Sequence, residues 1–109
     1  MANIYRNAKV DLTTTDNTTV YTSPSNSRAI VKSILVSDDS GSGDSINVTL
    51  TDASAAVFSL FKTKAIASNA TTELISQPII LQESEILKAQ ATTAGRLHMV
   101  ASLLEINRD

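Results

Sequence analysis

The apolar residues of this chain arrive in short runs rich in Val, Ile and Thr, and nearly every run is closed by Gly, Pro, Asn, Asp or Ser. That punctuation belongs to antiparallel sheets, because β-branched side chains suit a pleated surface and the closing residues suit tight turns. The run from Ile46 to Thr51 is the clearest half-buried strand: Ile46, Val48 and Leu50 point one way, while Asn47, Thr49 and Thr51 point the other. Further strands are predicted at 4–12, 18–22, 28–37, 56–66, 70–76, 79–81, 86–91 and 96–106, separated by Asp16-Asn17, the Ser23 to Ser27 proline turn, Asp38 to Asp44, Ser68-Asn69, Glu83 to Glu85 and Thr92 to Gly95. About eight or nine short strands at this spacing predict an all-β fold, an antiparallel β-sandwich of the jelly-roll or immunoglobulin-like kind. Only Asp52 to Phe61, with its alanines, leaves room for one or two helical turns.

Parity within each run selects a core of Ile30, Ile34, Val36, Ile46, Val48, Leu50, Phe58, Leu60, Ile79, Leu81, Ile86, Leu97, Met99 and Leu103. Two runs, Arg28 to Ser37 and Arg96 to Ile106, carry apolar residues on both faces. One small sandwich has only one inside to fill, so the second face of these strands predicts contact with a loop or with another subunit.

A chain of 109 residues fits a single domain, here 1–109, with residues 1–9 readable either as an interface arm or as an ordinary edge strand. Charged residues are 18% of the chain, below the usual quarter or so, and the net charge is −2 with the basic residues scattered. Nucleic acid is therefore not an expected partner, since phosphate binding needs clustered Lys and Arg. No run nears the roughly 18 apolar residues of a membrane span, and the opening MANIYRNAKV lacks the apolar stretch of a signal peptide, so neither membrane nor secretion is expected. Cysteine is absent, which removes disulfides and thiolate metal sites.

Candidates for chemistry are few. His98 is the sole histidine and lies within a strand, with no nucleophile-elbow motif to serve, so the chain is not expected to be an enzyme. The Asp38 to Asp44 loop offers hard oxygens on a pliable segment, as calcium prefers, but lacks the ligand spacing of an EF-hand and reads as a solvated connection. Three Asn-X-Thr sequons, at Asn17, Asn47 and Asn69, follow from a threonine-rich composition. No cofactor is expected.

Read in order, the segments TTTDNTTVYTSP, RAIVKSILVSDDSG, INVTLTD, PIILQESEILKAQA and LHMVASLLEI resemble small virion structural proteins of tailed bacteriophages, those that decorate the head or complete the neck. Two positions that commonly hold glycine in such proteins are Asn26 and Ser84 here. The resemblance implies a non-enzymatic β-sandwich, most simply a capsid decoration protein made in the host cytoplasm and held in the virion as a homo-oligomer or symmetric array. Its partners would be the major capsid protein or other virion proteins. A neck or tail component and a cellular β-sandwich binding module are the alternatives, although a carbohydrate-binding module would show more than two Tyr and no Trp. Contacts are expected from the first residues and the turns, at Ile4, Tyr5, Arg6, Asn26, Arg28, Asp38 and Asp39, because Tyr and Arg concentrate at interface hot spots.

Overall fold

A computed structural model describes residues 2–107, and these form nine strands. They are β1 (Ala2–Leu12), β2 (Thr18–Thr22), β3 (Ser27–Asp38), β4 (Asp44–Thr51), β5 (Val57–Ile66), β6 (Thr71–Glu73), β7 (Ile79–Leu81), β8 (Ile86–Ala91) and β9 (Leu97–Asn107). One sheet runs β1-β9-β3-β6, with β7 also on β3; the other runs β2-β8-β4-β5. The short strands β6 and β7 share one edge of β3, pairing with its residues 35–37 and 29–31.

Every pairing is antiparallel, and the pairs nest: β1 with β9, β2 with β8, β3 with β6 and β7, β4 with β5. A long hairpin rolled on itself gives this order, which is the jelly roll. Of the two sandwiches the sequence allowed, the immunoglobulin kind is set aside, because there the first strand pairs with the second and not with the last.

The core fills the gap between the sheets. Val31, Ile34, Val36, Leu97, Met99 and Leu103 descend from the first sheet, and Ile46, Val48, Leu87 and Ala89 rise from the second. Eight of the expected core residues are fully buried: Ile34, Val36, Ile46, Val48, Leu81, Leu97, Met99 and Leu103. The others depart for identifiable reasons. A register shift between Val31 and Ser33 changes parity within β3, so Ala29 and Val31 share the inner face with Ile34 and Val36, and Ile30 turns outward. On β8 the inner residues are Leu87, Ala89 and Ala91, which leaves Ile86 on the outer side. Phe58 is 54% exposed at the start of β5. Leu50, Leu60 and Ile79 are partly buried and pack against the core margin.

Asp52 to Phe61 is a turn and a strand, with no helix. The Asp52 carboxylate accepts from the Ser54 and Ala56 amides at 2.9 Å each, fixing a tight reversal in which Ala55 has φ of +68°. Ser84 is left-handed at +65°, which is the conformation that favours glycine, and its amide donates to the Ser23 carbonyl at 2.9 Å. Asn26, by contrast, is not left-handed.

Candidate interaction surface

Directly opposed residues of an antiparallel sheet point to the same side, so the register maps the outer face of the first sheet. Its most apolar row is Tyr5 on β1, Leu104 on β9, Ile30 on β3 and Ile80 on β7. Two rows along come Lys9, Val100, Leu35 and Glu73. Among the described residues six large hydrophobic side chains are exposed, and four lie here: Tyr5 at 75%, Ile80 at 60%, Leu35 at 39% and Val100 at 36%. Val57 and Phe58, on β5, are the others.

The seven residues singled out from sequence divide between this face and the interior. Tyr5 and Arg28 are on it, and Asp39 is exposed just past the end of β3. The Lys32 ammonium sits 5.6 Å from the centre of the Tyr5 ring, a cation–π distance. Ile4 and Arg6 face inward, opposite Glu105 and Leu103 of β9. The Arg6 Nε lies 3.3 Å from an oxygen of Glu105, which is 4% exposed. The other Glu105 oxygen accepts from the Tyr21 hydroxyl at 2.5 Å, so one buried carboxylate ties the two sheets together. Burial, and then the hydrogen bond to Glu105, push the Tyr21 phenol well above its ordinary ionisation range. Asn26 is half-buried in the proline turn and accepts from the Ser27 hydroxyl at 3.1 Å.

Asp38 is turned inward at 3% exposure. Its carboxylate accepts from the Ser40 hydroxyl at 2.5 Å, the Ser40 amide at 2.8 Å and the Gly43 amide at 2.6 Å, which closes the 38–44 loop around it. Gly43 has φ of +71°, and a Cβ there would come within 3.2 Å of the Ile66 carbonyl, so glycine is required. Asp44 likewise accepts from the Thr93 amide at 2.8 Å. Both carboxylates are thus committed to backbone, and among the described residues no His, Asp and Glu side chains gather into a metal-binding group.

The Ser40 hydroxyl bond, reinforced by the backbone amides and opposed by burial, holds the Asp38 carboxyl below its ordinary 3.8. A depressed folded-state value means the stabilisation is complete above the unfolded value and is lost as pH falls through the folded one. Melting temperature should therefore fall as pH drops below about 4, and by less in Asp38→Asn than in the parent. Calorimetry across that window checks it; equal acid slopes would remove Asp38 from the account.

His98, on the same outer face, has Nε2 at 3.1 Å from Asp11 and Nδ1 at 3.7 Å from Asp39. Ser37 stands opposite His98 on β3. Both ring nitrogens already face carboxylates, so neither is placed to take the Ser37 proton, and the group is not a nucleophile–base–acid relay.

Sequence reasoning missed Ile80. The signal was present: three consecutive apolar residues, Ile79 to Leu81, cannot all face inward on one strand.

Neither a protein-family model nor a curated protein sequence matches the chain. Its fold does match solved structures. A chain of the disulfide-linked pili that form Bacillus endospore appendages superposes with a TM-score of 0.60 at 10% identity, over 98% of this chain and 89% of that one. A chain of the acid-stable capsid of Helicobacter pylori bacteriophage KHP30 gives 0.56 at 9% identity, over 97% and 89%. A chain of infectious bursal disease virus, Gx strain, gives 0.53 at 10% identity, with 97% of this chain spanning 29% of that one. At these identities the likeness concerns the fold, and the first two of these chains are components of a pilus and of a capsid.

Proposed function

We propose that this chain is a non-enzymatic structural protein of a bacteriophage virion, a capsid decoration protein that seats the outer face of its β1-β9-β3 sheet on the head. The observation that carries the reading is the concentration, among the described residues, of four of six exposed large hydrophobic side chains on that one face of a weakly charged jelly roll. Scattered apolar residues on a surface are ordinary, whereas a cross-strand row of them fits a protein–protein contact. The pilus and phage-capsid proteins that share the fold are structural proteins, in keeping with this role. Partners are then the major capsid protein and neighbouring copies, without nucleic acid, membrane or cofactor, and assembly takes place in the host cytoplasm.

Co-sedimentation with purified heads, necks and tails tests it. Binding should saturate on heads, and Ile80→Glu and Leu35→Lys should each weaken it at least about tenfold with melting temperatures near the parent's, since both side chains are exposed. Binding to necks or tails alone would move the protein to that part of the particle. Binding to none of the three would overturn the reading.

A further inference from the structure

The two sheets have four edges, and three of them are blunted. β5 carries register shifts on either side of Val48, exposed Lys62 and Lys64, and a left-handed Thr63 at φ of +53°. β2 is five residues long with a register shift between Thr19 and Tyr21. The edge beyond β3 is split between two three-residue strands, β6 and β7, with Pro78 just before the second. Bulges, short strands, lysines and proline are the usual means of keeping a sheet edge from recruiting another strand.

β1 carries charges at Arg6 and Lys9, but it is neither short nor interrupted. It runs 11 residues in unbroken register with β9, Ala2 opposite Asn107 to Leu12 opposite Leu97, with no proline and no bulge. Among the described residues no strand pairs with its other side. The Lys32 ammonium of β3 stands 5.6 Å from the centre of the Tyr5 ring, across β9. Only at Asp11, whose carbonyl accepts from the Thr13 amide at 2.9 Å, does the edge bend into a turn. An edge of this length presents a row of backbone donors and acceptors for a further strand.

We infer that β1 is a self-pairing seam: two copies join β1 to β1, antiparallel, across a two-fold axis at Asn7. The sequence of β1 selects this occupant and this register. A two-fold axis perpendicular to the sheet keeps outward side chains outward only when odd-numbered residues oppose odd, and even oppose even. Centred on Asn7, the pairing keeps all 11 residues of β1 opposed and places Tyr5 opposite the partner's Lys9 and Asn3 opposite the partner's Asp11, with no like charges facing. Shifting the centre to Arg6 puts two guanidinium groups face to face, and shifting it to Ala8 shortens the overlap. The two first sheets then become one continuous sheet, and their outer faces one wider surface. The seam goes beyond the decoration reading, because it forms in solution whether or not the protein ever meets a capsid.

The chain has no cysteine, so introduced thiols report geometry directly. Under mild oxidation, Asn7→Cys should form a disulfide-linked dimer, because residues opposed across an antiparallel pair have Cβ atoms about 4.5–5.5 Å apart. Tyr5→Cys and Lys9→Cys should each stay uncrosslinked alone and crosslink when mixed. Ser102→Cys, on β9 and in the same row as Asn7, should stay monomeric, whereas stacking of the outer faces would crosslink it. Without thiols, Tyr5→Lys should weaken the dimer seen by sedimentation at least about tenfold, and Tyr5→Lys with Lys9→Glu should restore it by opposing Lys to Glu. A parent chain monomeric at about 100 μM, an Asn7→Cys chain that fails to crosslink, or Ser102→Cys crosslinking in its place would each overturn the seam. Failure of head binding with the crosslinks intact would leave the seam standing and remove the decoration role alone.

Discussion

Leu87→Ala is expected to cost about 2–5 kcal/mol of folding stability, and its neighbour Ile86→Ala about 1 kcal/mol. Leu87 is fully buried on β8, opposite Leu50 of β4 and Tyr21 of β2, so truncation removes its transfer energy and leaves a cavity between the sheets. Ile86 lies on the outer side of the same strand and is only partly buried, opposite Thr51 and Thr22. Parity counted from sequence favours Ile86 as the core residue, so the pair measures the register of β8 directly. Denaturant midpoints with an unchanged slope would check the ranking. An Ile86→Ala loss as large as that of Leu87→Ala would mean that β8 is rotated by one residue.

The second large effect is expected at the buried carboxylate. Arg6→Met should cost about 3 kcal/mol, the low end for removing one member of a buried pair, because the Arg6 side chain is itself 49% exposed. Tyr21→Phe should cost about 1–3 kcal/mol by taking the hydroxyl donor from Glu105. Replacing all three, Arg6→Met, Tyr21→Phe and Glu105→Met, should recover most of the loss, since an apolar filling of similar volume carries no charge to desolvate. The phenol's raised folded-state pKa acts in the alkaline range: the stabilisation from Tyr21 is complete below about pH 10 and declines as pH rises above it. Chemical denaturation of the four proteins at neutral pH decides the matter. A triple variant no more stable than Arg6→Met would show that the network stabilises the fold beyond what packing can replace.

Strand positions were legible because turn residues mark them locally: all nine predicted runs became strands, with ends moved by a few residues. Facing was less legible where it depends on a partner strand. The shift at Val31 to Ser33 inverts half of β3, and no residue within that run announces it, because the bulge is set by pairing with β9. The inward turn of Arg6 was hidden for a similar reason: a guanidinium reads as surface until a buried Glu105 is found diagonally across from it on β9, almost a whole chain away. The outer apolar face was half visible in the two-sided strands now seen as β3 and β9. Its completion by Tyr5 and Ile80 needed the order of strands, which composition does not carry.

The nested pairing also dictates when the protein can fold. β9 is the last described strand to leave the ribosome, yet it lies between β1, the first, and β3, and its far end pairs Asn107 with Ala2. Until it is made, β1 has no sheet to join, and the chain must change sheets six times before the roll closes. Local contacts that would permit early, piecewise folding are scarce, since most pairings join distant parts of the sequence. Such topologies fold on the millisecond-to-second scale. A nascent chain stalled just before Leu97 should therefore remain open to protease, and protection should arrive in a single step once β9 has emerged.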